Sequence, residues 1–261
     1  MQPISMTPDG LRQVARIVPR GDELGCDAAV PPVHQLAWFE HGRWEATALS
    51  GTGMDEVFGH DRIAVVRSQR AAFLRPVGIG EPVALSVGLG RVGKTSFEIV
   101  QSLWTEPAGT QQPPECIAVL SIAAVALGAD RRPSPVPDAV RALARDMPPV
   151  PALAGLDLVP VERPDFTWEI EVRPSEIDVF SHVNHACYAR WADDARQLRD
   201  RARGLASQPL QRIAVDYQRE TVLGERVEVR LQELGPGDVA AEVRVGDEVR
   251  ARARLQAPAA N

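Results

Sequence analysis

Asp178, His182 and Asn184 place a carboxylate, an imidazole and an amide within seven residues. Asp178 can act as a general base or as a nucleophile, and His182 can orient water or polarise a substrate. The plainer reading of Asp178 is a helix cap. His182 has a plain structural reading too, and only its place four residues after Asp178 raises it. Asn184 and His185 can shape the loop or touch a substrate. Asp178, His182 and His185 also make a two-histidine, one-carboxylate set that could hold a metal.

An amphipathic pattern follows at once. Tyr188, Trp191, Ala192, Ala195 and Leu198 recur with helical spacing. The polar set therefore precedes the N-terminus of a buried helix, where unpaired N–H groups and the helix dipole favour developing negative charge. Arg190, Arg196, Arg199, Arg201 and Arg203 fall on the other side. With Asp193, Asp194 and Asp200 among them, that side reads as a solvated face.

The stretch from Asp178 to Trp191 resembles the 4-hydroxybenzoyl-CoA-type and acyl-ACP thioesterases of the hotdog fold. Asp178, His182, Val183, Asn184, His185, Tyr188 and Trp191 match that family's pattern, and Ser181 stands where it usually has Gly. The resemblance implies an acyl thioesterase that needs no cofactor or metal and acts on acyl-CoA or acyl carrier protein. It implies a catalytic set of Asp178, His182 and Glu220, with Phe180, Val183, Asn184, His185 and Tyr188 contacting substrate. Glu220 enters because Asp216-Tyr-Gln-Arg-Glu220 resembles the strand carrying an acidic catalytic residue in acyl-ACP thioesterases. Phe180 stands where the plant-type enzymes have Asn, which puts their Asn-dependent mechanism in doubt; Phe180 can line the acyl pocket instead. Hydratases of the fold separate Asp and His by five, against four here. A hydratase and a non-catalytic acyl-binding protein are the alternatives.

Length and composition agree with two domains. The chain has 261 residues, 44% of them apolar and 25% charged, which is globular and long enough for two cores. A net charge of −6 argues against general nucleic-acid binding. The N-terminal residues lack a signal-peptide pattern, and no run approaches a membrane span, so a cytoplasmic location is expected. Cys26, Cys116 and Cys187 lack metal-ligand or disulfide-framework spacing.

Both halves read as strand, helix, then four strands. The first half predicts a strand at 11–18 and a helix at 33–49 with Val33, Leu36, Ala37, Trp38, Trp44 and Ala48 inside. Strands follow at 62–74, 82–89, 95–104 and 116–127. The second half predicts strands at 166–172, 212–220, 225–233, 239–245 and 248–256, with a helix to about 203. Gly88 to Thr95 matches the phosphate-loop pattern, but the alternation after it is a strand, so a hairpin fits better.

Trp38…Arg43 pairs with Trp191…Arg196, Arg62-Ile-Ala-Val65 with Arg212-Ile-Ala-Val215, and Gly80-Glu81 with Gly224-Glu225. These repeats and the resemblance give an α+β double hotdog: an N-terminal repeat at 1–130, a Pro-rich linker at 131–165 with a short helix at 138–145, and a C-terminal repeat at 166–261. Aligning the tryptophans sets Gly25, Ala29, Pro31 and Pro32 against Asp178, His182, Asn184 and His185. Aligning the Gly-Glu pairs sets Pro76 against Glu220. The first repeat is then degenerate, with Asp27 as a weak substitute, and is expected to supply a wall of the site. Further dimerisation through the sheets is compatible with the fold.

Overall fold

The computed structural model describes residues 6–49, 63–106, 113–147 and 150–259. Arg62, Pro148 and Pro149 lie outside the described residues. The chain divides into two compact units, Met1–Ala154 and Gly155–Asn261.

In the first unit, β1 (Arg12–Ile17) and α1 (Gln35–Leu49) precede β2 (Ile63–Phe73), β3 (Val83–Val92), β4 (Ser96–Thr105) and β5 (Cys116–Leu127). The strands form an antiparallel sheet in the order β1-β3-β4-β5-β2. Alternation sets their inner face: Leu85, Leu103, Leu120 and Ile122 are buried. α1 packs on that face, with Leu36, Phe39 and Gly42 inward. A Cβ on Gly42 would sit 2.3 Å from Leu85 Cδ2, so glycine permits this approach. Gln101 Nε2 donates to the Phe39 carbonyl at 2.7 Å, tying helix to sheet. Trp44 and Ala48 are exposed, as is Ala37, because the helix turns Phe39 and Gly42 to the sheet instead.

Gly88–Thr95 forms the β3–β4 hairpin, with Gly93 N–H donating to Ser96 O at 2.8 Å. A strand follows, not a helix, so this segment lacks the geometry of a phosphate loop.

The proline-rich stretch is ordered by bonds within each unit. In the first, Val136 N–H donates to Lys94 O, and Arg145 N–H to Leu89 O, both at 2.9 Å, around the short helix α2 (Asp138–Ala142). In the second, Arg254 Nη1 donates to Asp157 O at 3.0 Å, and the Glu162 and Arg163 N–H groups donate to Gln232 Oε1.

The second unit runs β6 (Phe166–Glu171), α3 (His185–Ala202), β7 (Arg212–Tyr217), β8 (Arg226–Gly235), β9 (Asp238–Val245) and β10 (Glu248–Gln256). Its sheet order is β7-β10-β9-β8-β6, again antiparallel. Strand β7 stops at Tyr217, short of the expected 220, and leaves Glu220 in the following turn.

α3 corrects the sequence reading on its C-terminal half. Tyr188, Trp191, Ala192 and Ala195 are buried, but Leu198 is 39% exposed. Asp193, Arg196, Arg199 and Asp200 are buried in its place. Arg196 pairs with Asp193 at 2.8 Å and with Asp200 at 3.4 Å, and Arg199 with Asp200 at 3.2 Å. Opposite charges close together on the helix neutralise one another, which lets this stretch enter the core. No described helix is long and apolar enough to cross a membrane.

Candidate active site

The site is built on the turn between β6 and α3. Its support comes from Glu176, which is buried under the turn. Glu176 accepts from the Arg173 N–H at 2.8 Å and from Trp191 Nε1 at 2.9 Å. The first contact holds the chain before the turn and the second holds the helix after it.

Asp178 Oδ1 accepts from the Phe180 N–H at 2.8 Å, which closes a local turn. The Asp178 N–H donates to His182 O at 2.9 Å. Closing that loop puts Ser181 at φ +65°, the left-handed region where glycine is at ease. This is why a Gly fits that position of the sequence pattern. Asn184 then caps α3, its Oδ1 accepting from the Ala186 N–H at 2.9 Å.

These constraints aim three titratable groups at one point. His182 Nε2 lies 3.6 Å from Asp178 Oδ2, and His182 Nδ1 lies 3.9 Å from Glu220 Oε2. The Asp178 and His182 side chains are 17% and 22% exposed, whereas Glu220 is 67% exposed. Both separations exceed direct hydrogen bonding and leave the imidazole to bond a third molecule. The Phe180 ring stacks on His182 at 5.9 Å.

Glu220 is held through its backbone. Arg250 Nη1 donates to Glu220 O at 2.9 Å, and Arg250 Nη2 donates to Glu225 Oε1 at 2.8 Å. Sequence reasoning missed Arg250, because nothing local marks an arginine on β10 as a support for this turn. It also missed Glu176, for which a signal existed: Arg173 and Glu176 precede Trp191 as Arg20 and Glu23 precede Trp38.

The remaining expected substrate contacts divide. Val183 and Tyr188 are buried. Burial pushes the Tyr188 phenol up to about 12. His185 packs edge-on to Tyr217 at 6.1 Å, and Tyr217 Oη donates to His185 O at 2.9 Å. Among the described residues, no three His, Cys, Asp or Glu side chains are placed to hold a metal.

Two family profiles match this chain. The thioesterase superfamily profile covers residues 34–111, and the acyl-ACP thioesterase C-terminal domain profile covers residues 162–255, which include the whole turn. Each half of the chain thus matches a thioesterase profile, and the chain is a thioester hydrolase. Solved structures agree on the fold of this thioesterase. The 12:0-ACP thioesterase from Umbellularia californica is 19% identical, with 93% of this chain and 95% of that one covered and a TM-score of 0.76. A protein described as an oleoyl thioesterase from Lactobacillus plantarum is 16% identical, with coverage of 94% and 95% and a TM-score of 0.79. An acyl-ACP thioesterase from Bacteroides thetaiotaomicron is 13% identical, with coverage of 93% and 96% and a TM-score of 0.75. At these identities the likeness shows a hotdog fold. No curated protein sequence matches the thioesterase significantly.

Proposed function

We propose that the chain is a double hotdog acyl-ACP thioesterase whose second repeat carries the active site and whose first repeat is degenerate. The substrate is a fatty acyl thioester of acyl carrier protein, with acyl-CoA as the related alternative carrier. The observation that carries the site is His182 set between Asp178 and Glu220, 3.6 Å and 3.9 Å away.

Asp178 Oδ2 is the general base. Its other oxygen is engaged by Phe180 N–H, so the carboxylate is oriented toward His182. A water held between Asp178 and His182 attacks the thioester carbonyl and passes a proton to Asp178. The tetrahedral oxyanion collapses, the C–S bond breaks, and the leaving thiolate takes the proton that Asp178 accepted, which regenerates the carboxylate as the acid product leaves. Glu220, beside His182 Nδ1, holds the imidazole in orientation. The N-terminus of α3 favours the negative charge that develops nearby. Phe180 lines the acyl entrance, Val183 and Tyr188 form the floor, and Asn184 and His185 fix the start of the helix beside the substrate.

The test is thiol release from matched acyl-ACP and acyl-CoA esters, wild type beside Asp178→Asn. Release by wild type, faster from the carrier protein, supports the proposal. Equal or faster release from CoA overturns the choice of carrier. Undiminished release by Asp178→Asn overturns the site.

A further inference from the structure

Five arginines lie along α3 and its end, and the structure divides them. Arg196, Arg199 and Arg203 are bound to Asp193, Asp200, Asp165 and Glu233. Arg201 is exposed in the last turn. Arg190 is left, half-buried in the part of the helix nearest the turn of Asp178 and His182. Its Nη2 donates to Cys187 Sγ at 2.9 Å, and no carboxylate pairs with it among the described residues. A thiol is a weak acceptor and leaves the guanidinium charge uncompensated. The half-buried Arg244, Arg250, Arg252 and Arg254 of the same unit all pair with carboxylates.

The contact with Cys187 sets where this cation lies. Cys187 Sγ donates to Glu176 O at 3.8 Å, and that carbonyl also accepts from the Asn184 N–H at 2.8 Å. Glu176 and Asn184 bracket the loop of Asp178 and His182, so Arg190 stands beside that loop. The first unit supplies a control. With Trp38 set against Trp191, Arg43 matches Arg196 and Ala37 matches Arg190. Arg43 serves the fold, its Nη1 donating to Gln101 Oε1 at 2.8 Å. Both helices keep that arginine. Only the helix that follows Asp178, His182 and Asn184 carries the other, and the exposed Ala37 demonstrates that the helix forms without it.

We propose that Arg190 binds the phosphate of the phosphopantetheine arm that carries the acyl thioester, a group shared by acyl carrier protein and CoA. A guanidinium suits a phosphate because its planar fork offers parallel N–H donors. The phosphate lies at the far end of the arm from the thioester, so its cation belongs beside the Asp178, His182 and Glu220 cluster and not within it. The inference rests on the active site proposed above and adds the group that holds the carrier end of the substrate. No bond is made or broken at Arg190.

The experiment measures kcat and KM for wild type, Arg190→Ala, Arg190→Lys and Asp178→Asn on three esters of one acyl group: acyl-ACP, acyl-CoA and acyl-N-acetylcysteamine, which ends before the phosphate. Arg190→Ala is expected to raise KM about 10-fold on both phosphate-bearing esters, with kcat within about twofold. On the phosphate-free ester its KM should match that of wild type, and Arg190→Lys should recover part of the loss on the other two. Unchanged KM on acyl-ACP and acyl-CoA overturns the proposal, as does an equal loss on all three esters, the mark of a structural role. A loss on acyl-CoA alone assigns Arg190 to the nucleotide, and a loss on acyl-ACP alone to the carrier's protein surface; either overturns the shared phosphate. Should Arg190→Ala fail to fold, Arg190→Gln takes its place. Should the short ester turn over too slowly, phosphopantetheine should inhibit wild type about 10-fold better than pantetheine, a preference the variant loses. Equal inhibition of wild type by the two overturns the proposal. Undiminished activity of Asp178→Asn would instead strike the underlying site, and it leaves the KM comparison readable.

Discussion

Residues 20–38 and 173–191 build one loop twice, and only the second carries the Asp178, His182 and Asn184 side chains. In each, an N–H donates to a glutamate three residues on: Arg20 to Glu23 and Arg173 to Glu176, both at 2.8 Å. In each, that glutamate accepts from a helix tryptophan at 2.9 Å, Trp38 or Trp191. The Gly25 N–H donates to Ala29 O at 2.8 Å, as the Asp178 N–H does to His182 O at 2.9 Å. Ala28 at φ +60° matches Ser181 at φ +65°. Even the helix entries agree, with Pro31 at φ −54°, ψ 136° and Asn184 at φ −57°, ψ 135°. The scaffold depends on backbone bonds and one Glu–Trp pair, so it survives exchange of the side chains at 178, 182 and 184. Asp27, two positions on from Gly25, is engaged in a local turn. Its Oδ1 accepts from the Ala29 N–H at 3.1 Å, and alanine stands where the histidine would be. Proline keeps the entry angle at position 31 but supplies no cap, and the first helix opens through a single 3-10 turn.

The sharpest way to break this comparison is to disarm the second loop. Asp178→Asn should lower kcat by about 1,000-fold, in the range of losing a general base. Asp27→Asn in the first loop should leave thiol release within about twofold, since the comparison assigns it no chemistry. A large loss from Asp27→Asn would mean that the first loop is armed after all.

A second asymmetry concerns alkaline stability. Tyr188 corresponds to Gln35, which is buried at the start of α1 and does not titrate. The folded Tyr188 pKa of about 12 lies above its ordinary value of 10.0. As pH rises past 10 the unfolded chain loses this proton first, so stability falls through the window up to about 12. The expected loss is on the order of 2 kcal/mol, and Tyr188→Phe should abolish that part of the slope. Denaturant unfolding of the two proteins between about pH 9 and 11 checks it.

Where the loops agree, they should respond alike. Trp38→Phe and Trp191→Phe each remove a hydrogen bond to a carboxylate, worth about 2 kcal/mol. Paired denaturation curves differing by much more than this would show that the two supports are not equivalent. The smallest effect is at the left-handed residues. Ala28→Gly and Ser181→Gly should each stabilise by about 1 kcal/mol, the relief of a side chain at positive φ. Thermal unfolding of the single variants would reveal a mismatch.

The tryptophan alignment was legible in the sequence, and the matching backbone of the two loops follows it: Gly25 opposite Asp178, Ala29 opposite His182, Pro31 opposite Asn184. Most strands were legible as well, because alternating burial writes itself into residue type. β5 was found to its ends, from Cys116 to Leu127. Errors arose where long-range partners override the local pattern. Leu198 looked buried by its spacing, but Arg196 and Arg199 found Asp193, Asp200 and Asp165 and took the core side instead. Trp44 and Ala48 looked buried too, until Gly42 against Leu85 set the rotation of α1.

The amino-acid order thus determined the chemical inventory of the site, because residue type and short spacing are local properties: an acid and an imidazole four apart, ahead of an apolar helix face. Only the tertiary structure decided which distant groups serve it. Glu220 reaches His182 because β7 ends at Tyr217, Arg250 reaches the Glu220 carbonyl from β10, and the Thr221 carbonyl meets Val183. Each of those contacts joins segments about thirty residues or more apart in the chain. Their formation depends on sheet register and strand ends, which are settled by the packing of the whole unit.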